Sequence, residues 1–488
     1  MEKITDLRSL RTAIEKGGAA GGENTARKRI NMLFDEGSFI ETNAFAVGSL
    51  NEGAYADAVV TGYGTINQRP VCVYSQDLSS AGGSFGKMHC EKIAKTIDFA
   101  AKSGVPVIGI FDTEGLRLNE GLDAMDGLGN ILKKVSVNSG VIPQISIVAG
   151  NLSGIAGCIS AISDFTFMIK DKSKMFMNGP MVVKGYTNND VENLGNAQFN
   201  AEKSGLASVV ADDEASCIES VKKLLSYLPD NNLSDAPCGD ESDDFNRISS
   251  LLNDMCTSEN IDTKTAIGEI VDDKEFFEIK NEYAKNIITG FAHLGGISVG
   301  IVANNGALDT SACTKAADFV AFCDSFNTPV VTFANVKEFE ASIAEEASVM
   351  KAASKLICAY AEATVPKINV ILDKGCGGAY LAMGSKHIGS DLTLSWAGAE
   401  VSVMNSTAIT DILYDEEISN SKNPKQERQA KCEEYKNKYA NPFEAAKKGY
   451  VDDIIEPDST RPRLISAVEI LLGKREVRQS KKHSSAIL

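Results

Sequence analysis

VIPQISIVAG at 141–150 and TVPKINVILD at 364–373 carry one pattern twice. Each places a proline third and follows it with a short apolar run, as a strand buried on both faces requires. Pro143 and Pro366 stand 223 residues apart. Working outward, Pro106 in VPVIGIF (105–111) and Pro329 in TPVVTFA (328–334) repeat that spacing. So do Gly154-Ile155-Ala156 and Gly377-Gly378-Ala379. Further upstream, LFDEGSF (33–39) resembles IVDDKEF (270–276) at a spacing of 237, so one loop differs in length between the copies. Matches in one order and at one spacing mark an internal repeat.

Each copy reads β-β-α-β-α-β-α. In the first, strands near 58–66 and 70–76 precede a helix near 87–102, a strand at 105–111, a helix near 120–138, a strand at 142–149 and a helix at 153–162. In the second, strands near 286–293 and 297–303 precede helix 310–326, strand 328–334, helix 341–363, strand 366–372 and helix 376–384. Strands alternating with helices predict largely parallel sheets with right-handed crossovers. The expected class is therefore α/β, with one domain over 1–240 and a second over 260–488. The stretch 229–259 contains PDNNLSDAPCGDESDD and reads as an acidic linker. The charged segment Asp415 to Lys438 reads as a solvated helix, and a last helix is expected from Thr460 to Lys474.

The 488 residues are 43% apolar and 24% charged, which excludes a disordered chain. A net charge of −17 argues against a nucleic-acid binder, which needs a basic face. No apolar run approaches membrane-spanning length, and the N-terminus has no signal-peptide core. Eleven cysteines without a Cys-x-x-Cys pair read as reduced thiols, so a cytoplasmic location is expected.

The usual catalytic motifs are missing. There is no GxxxxGK[ST], no GxSxG and no HExxH, and Gly62-Tyr63-Gly64 lies inside a strand pattern rather than opening a helix. The histidines, His89, His293, His387 and His483, form no metal-ligand pair and read as structural or surface groups, so no metal is expected. What remains is glycine-rich turns joining strands to helices: AGNLSGIAG (149–157), DKGCGGAY (373–380) and SAGGSFG (80–86). Backbone N–H groups at such turns have no intrahelical partner and suit a developing oxyanion such as a thioester enolate, or a phosphate-bearing ligand.

At this point the residues resemble a known family. ARKRINMLFDEGSF (26–39), VVTGYGTINQRPVCVYSQD (59–77), GVIPQIS (140–146), SDFTFMIKD (163–171), FNTPVVTF (326–333), AEATVPKINVI (361–371), GGAY (377–380), SKHIG (385–389) and STRPRLISAVEIL (459–471) resemble biotin-dependent acyl-CoA carboxyltransferases. The propionyl-CoA carboxylase β chain and the methylmalonyl-CoA decarboxylase α chain are of this kind. The resemblance covers nearly the whole chain and implies a tandem repeat of two crotonase-like domains. It implies an N-terminal domain for acyl-CoA and a C-terminal domain for biotin, meeting across subunits of a hexamer or of a mixed oligomer with a paralogue.

The implied reaction moves a carboxyl group between biotin and a short-chain acyl-CoA through a thioester enolate, held by two oxyanion holes without a dedicated acid or base. By resemblance, Gly154 and Ile155 face the thioester oxygen, and Gly378 and Ala379 face the biotin ureido oxygen. Ala81, Gly82, Gly83, Gly115, Leu116 and Gly377 are the further substrate-binding candidates. With no Met-Lys-Met biotinylation site, biotin is expected on a biotin carboxyl carrier protein. A biotin carboxylase or a membrane decarboxylase subunit is the expected further partner.

The chain departs from the family pattern at the turns. Thr113-Glu114-Gly115-Leu116-Arg117 stands where Ser-Gly-Gly-Ala-Arg is usual, Ile155 replaces a glycine, and Val336-Lys337-Glu338-Phe339 replaces Val-Pro-Gly-Phe. Ala347-Ser348 replaces a Gly-Gly pair and Asn405 a glycine. These changes leave a second reading open: a catalytically weakened structural subunit that assembles with an active paralogue.

Overall fold

A computed structural model describes residues 2–15, 25–48, 55–187, 191–239, 243–258 and 261–482. The chain divides into two compact units, Met1–Ser234 and Asp235–Leu488. The first holds a seven-stranded sheet in the order Ile40–Thr42, Val59–Ile66, Arg69–Gln76, Val107–Phe111, Gln144–Val148, Phe165–Ile169, Val209–Ala211. The second repeats that order with Phe276–Ile279, Ile287–Leu294, Ile297–Asn304, Val330–Val336, Lys367–Cys376, Leu392–Trp396 and Asp453–Ile455. In both, the first three strands are antiparallel and the rest parallel.

The repeated prolines sit just before strands, where a missing N–H costs no ladder bond. Their carbonyls still serve the neighbouring strand. Pro106 O accepts from Cys72 N at 2.9 Å and Pro143 O from Val107 N at 3.0 Å. In the second unit Pro329 O accepts from Gly300 N and Pro366 O from Val330 N, both at 2.8 Å. The aspartates of the 237-residue match explain that match too. Asp35 accepts from the N–H groups of Asn67 and Gln68 at the first hairpin turn. Asp272 does the same for Gly295 and Gly296 at the second. Asp272 also pairs at 2.6 Å with Arg461, a fully buried guanidinium from the STRPRLISAVEIL segment.

Local patterning explains the helices. Lys87–Ser103 buries Cys90, Ile93, Ala94, Ile97 and Ala100, the three-and-four spacing of one helix face, and ends at Gly104 with φ +65°. The central strands Val107–Phe111 and Gln144–Val148 are buried at every position, because helices cover both faces.

Three expectations change. The helix expected over 341–363 is two, Ile343–Glu346 and Val349–Glu362, since Ser348 leaves helical geometry at φ −137° and hydrogen-bonds Thr310 through its hydroxyl. The charged segment 415–438 is likewise two helices, Asp415–Asn420 and Pro424–Tyr439, with a proline opening the second. Within 229–259, Ser250–Cys256 is helical and its Leu252 lies in the second core beside Ile267 and Leu464. Apolar residues inside an acidic stretch thus join a packed layer rather than a bare connection.

Candidate active site

In the first unit, the short strand Asn151–Ser153 pairs with Lys174–Phe176 and runs into Gly154 at φ +68°. That left-handed residue turns the chain into a 3₁₀ turn and then the helix Gly157–Ile162. The second unit repeats the device. Lys367–Cys376 pairs with Glu400–Ser402 and runs into Gly377 at φ +64°, which opens the helix Gly377–Ala382. Neither Ser153 nor Cys376 caps the turn with its side chain, so the leading N–H groups face outward for another acceptor. A Cβ on Gly154 would meet nothing within 4 Å, and one on Gly378 would meet only the Phe339 ring at 3.6 Å. Both turns therefore open onto free space.

The remaining first-unit candidates lie beside Gly154. Thr113 N donates to Asn151 O at 3.0 Å, Glu114 N to Gly82 O at 2.9 Å, and Phe85 N to Gly115 O at 2.9 Å. A Cβ on Gly115 would stand 3.2 Å from Ser153 Oγ. A side chain on Gly82 would collide with the Glu114 carboxylate. The turns bearing Ala81, Gly82, Gly83, Gly115 and Leu116 thus abut the turn bearing Gly154. They open into two cavities rather than one. Ala81, Glu114, Leu116 and Arg117 line about 420 Å³, while Gly154, Gly157, Cys158 and Met175 line about 350 Å³.

A buried ionic cluster supports these turns. The Arg117 guanidinium donates to Asp57 at 2.8 Å, Glu120 at 2.9 Å, and both the hydroxyl and carbonyl of Ser84. His89 has no exposed surface; its Nδ1 donates to the Asp57 carbonyl at 3.0 Å and its Nε2 accepts from the Gln76 amide at 3.2 Å. Burial drives its pKa down to about 3, helped by Arg117 and Lys92, so the ring stays neutral. His89, read from the sequence as a structural or surface group, is buried. His483 lies outside the described residues.

Of the second-unit candidates, Gly377 and Gly378 line a cavity of about 810 Å³, whereas Ala379 is buried and does not line it. Gly375, Gly377 and Gly378 form one wall, and Leu381, Val401 and Val403 flank it. Aromatic rings make up much of the rest of the lining: Tyr414, Tyr435, Tyr439 and Tyr450, with the His387 ring tilted against Tyr450 at a centroid distance of 4.7 Å. These residues escaped the sequence reading. The segment 415–438, read as a solvated face, presents Tyr435 to the cavity and runs on to Tyr439. The one available signal was the four-residue spacing of those tyrosines, which puts both on one helix face. His387, read as a structural or surface group, also lines this cavity.

Glu400 is buried immediately before the lining residues Val401 and Ser402. Burial pushes its carboxyl up, yet the hydrogen bonds of Ser406 and the charge of Lys374 outweigh that and hold it below the usual carboxylate range.

Ile155 fits its position without strain. Gly154 takes the left-handed conformation, whereas Ile155 has ordinary negative φ and a side chain 53% exposed. The substitution therefore alters the surface beside the turn and leaves the turn intact.

The carboxyl transferase domain family matches residues 19–486. The chain belongs to the biotin-dependent acyl-CoA carboxyltransferase family. It is 39% identical to methylmalonyl-CoA decarboxylase subunit alpha of Propionigenium modestum, over 99% of this chain and 98% of that protein. It is 41% identical to the propionyl-CoA carboxylase beta chain of Saccharopolyspora erythraea, over 96% and 91%. A crystal structure of transcarboxylase 12S, a hexamer solved with methylmalonyl-coenzyme A bound, superposes with a TM-score of 0.94 at 38% identity, covering 99% of this chain and 97% of that one. The two units of this carboxyltransferase are accordingly a tandem pair of crotonase-like domains. Among the described residues no helix is long and apolar enough to cross a membrane, and no group of three metal-ligating side chains occurs.

Proposed function

We propose that this carboxyltransferase moves a carboxyl group between carrier-bound biotin and propionyl-CoA or methylmalonyl-CoA, the acyl-CoAs named by its relatives. The observation that carries this reading is the paired left-handed glycine, Gly154 and Gly377, each ending a strand and leaving free N–H groups over a cavity. The N–H groups at Gly154 and Ile155 hold the thioester oxygen, which stabilises the enolate. Those at Gly378 and Ala379 hold the ureido oxygen. The second-unit cavity fits biotin: bare glycine backbone lets a ring approach, and Leu381, Val401, Val403 and Tyr414 offer apolar walls to a neutral bicycle. Biotin carboxylated on its ureido nitrogen would supply the carboxyl group and, once that N–C bond is broken, a nitrogen able to take the α-proton, so the new C–C bond would replace the N–C bond with no proton left over. Ala81, Gly82, Gly83, Gly115 and Leu116 flank the acyl-CoA, and Gly377 sets the angle of the biotin-side turn.

On this reading the chain works in the cytoplasm as a hexamer, with biotin delivered by a carrier protein. A biotin carboxylase or a membrane decarboxylase subunit charges or discharges that carrier. The unstrained Ile155 supports an active subunit over a purely structural one.

The test is an assay of the purified full chain with free biotin and a panel of acyl-CoAs. Conversion of methylmalonyl-CoA to propionyl-CoA that depends on biotin is expected. No transfer with any short acyl-CoA, from a chain that still assembles, overturns the reading in favour of a structural subunit.

A further inference from the structure

Three of the pieces of chain that line the second-unit cavity meet at one buried carboxylate, Glu400. The strand Lys367–Cys376 delivers Gly375, Gly377 and Gly378. The strand Glu400–Ser402 delivers Val401 and Ser402, and Val403 follows. The helix Ser406–Leu413 delivers Leu413 and then Tyr414. Glu400 is 5% exposed and lies in register opposite Lys374. Its Oε2 takes the Lys374 ammonium at 3.1 Å, which Asp373 also contacts at 3.2 Å. Its Oε1 accepts from Ser406 N at 2.9 Å and from Ser406 Oγ at 2.5 Å. Its own carbonyl takes the Cys376 thiol at 3.7 Å, immediately before Gly377.

A carboxylate buried this far persists only where its charge and lone pairs are met, so each of these contacts is held in a fixed geometry. Rotating the helix away from the strand, or sliding the strand end that leads into Gly377, breaks at least one. The corresponding register pair of the first unit is Asn151 and Lys174, a neutral side chain opposite a cation. The clamp is thus a feature of the second unit rather than of the repeated fold.

We propose that Glu400 is a positioning residue for carboxyl transfer: it locks the Gly377–Gly378 backbone to the Val401–Tyr414 wall, so that the N–H groups stay aimed into the cavity. This rests on the reading of Gly378 and Ala379 as the biotin-side hole. Glu400 itself does not touch the reacting atoms.

The test compares full-length Glu400→Gln, Glu400→Asp and Gly378→Val, with free biotin as carboxyl acceptor and methylmalonyl-CoA as donor. Glu400→Gln keeps an acceptor for Ser406 but sets an amide against the Lys374 ammonium. A displacement of about 1 Å at a reacting centre costs on the order of a hundredfold in rate. A fall in kcat of roughly ten- to a hundredfold is therefore expected, with a raised KM for biotin and an unchanged Kd for the acyl-CoA. Glu400→Asp, which restores the charge, recovers part of the loss. A merely structural role would lower the melting temperature and the active fraction while leaving both constants per active site as in the wild type. Wild-type kcat and biotin KM in Glu400→Gln overturn the proposal. If Glu400→Gln fails to fold, Ser406→Ala replaces it; that variant removes one donor and keeps the ion pair, and a several-fold kcat loss is expected. Unchanged kinetics in Ser406→Ala count against the clamp. Gly378→Val separates the two readings. If it abolishes transfer while the Glu400 variants do not, the hole stands and the clamp falls; if it leaves transfer intact, the hole itself is misplaced.

Discussion

Lys92 and Lys315 stand 223 residues apart and make the same buried clamp in the two units. Lys92 is fully buried and Lys315 2% exposed. Lys92 Nζ donates to the carbonyls of Ala56 and Val59, at the entry to the strand Val59–Ile66. Lys315 Nζ donates at 2.8 Å to each of the Lys280, Tyr283 and Ile287 carbonyls, at the entry to Ile287–Leu294. Each ammonium ties a helix to the irregular backbone that leads into the sheet. Surface charge is the ordinary fate of a lysine, so two at equivalent positions with carbonyls for partners mark a fold requirement.

Lys315→Met is therefore expected to destabilise the chain. The thioether fills much of the volume but orphans three carbonyls, each worth about 1–3 kcal/mol when buried without a donor. Chemical denaturation of the variant should show a lower midpoint, with an unfolding free energy reduced by several kcal/mol, roughly the sum over those carbonyls. A midpoint equal to the wild type would mean that water replaces the ammonium.

Gly378→Val is expected to block transfer to biotin by about a hundredfold or more while leaving acyl-CoA binding nearly intact. A Cβ there meets only Phe339 at 3.6 Å, so the fold tolerates it, and the branched methyls project into the cavity. Single-turnover rates with biotin, set beside acyl-CoA titration calorimetry, measure the two effects separately.

Ile155→Gly is expected to keep or raise the rate and to widen the range of acyl chains accepted. The side chain is 53% exposed, so little burial is lost. The remaining cost is backbone entropy, roughly 0.5–1 kcal/mol. A kcat/KM profile across acyl chain lengths that matches the wild type would show that Ile155 does not border the acyl group.

Asp164→Asn is expected to raise stability at pH 8 more than at pH 4. Burial lifts the Asp164 carboxyl to about 7 while its Oδ2 accepts the Gln144 N–H at 2.8 Å. The folded chain then holds that proton more tightly than the unfolded chain does. The associated stability is complete below the unfolded pKa near 4 and lost as pH rises through about 7. The amide keeps the acceptor and removes the charge. In the second unit Asp391 accepts the equivalent Lys367 N–H and is also met by Lys474. Melting curves at both pH values test the sign; equal shifts would place the carboxylate in contact with water.

Much of this was legible in the sequence. Pro106, Pro143, Pro329 and Pro366 announce their strands through local rules, because a proline before an apolar run acts on its own backbone. Asp35 and Asp272 repeat because each must close the same hairpin turn. Gly154 and Gly377 repeat because a strand can turn into a helix there only through a left-handed residue. The proline and glycine constraints operate within a few residues and the aspartates act within one supersecondary unit, so the sequence displays them as a repeat.

The tertiary structure alone decided what surrounds those turns. Tyr435 and Tyr439 share one face of a helix with no buried residue, so the sequence shows a pair of rings but not what they face, and only folding carries them to the cavity that Gly378 also lines. Glu400 and Lys374 read as two ordinary charges until parallel pairing sets them in register. Arg117 and Glu120 form a buried cluster with Asp57 only when two distant segments meet. The physical reason is the range of the forces involved. Backbone geometry and hydrophobic periodicity are set by near neighbours, whereas a cavity and a buried ion pair exist only where distant segments have excluded water from the space between them.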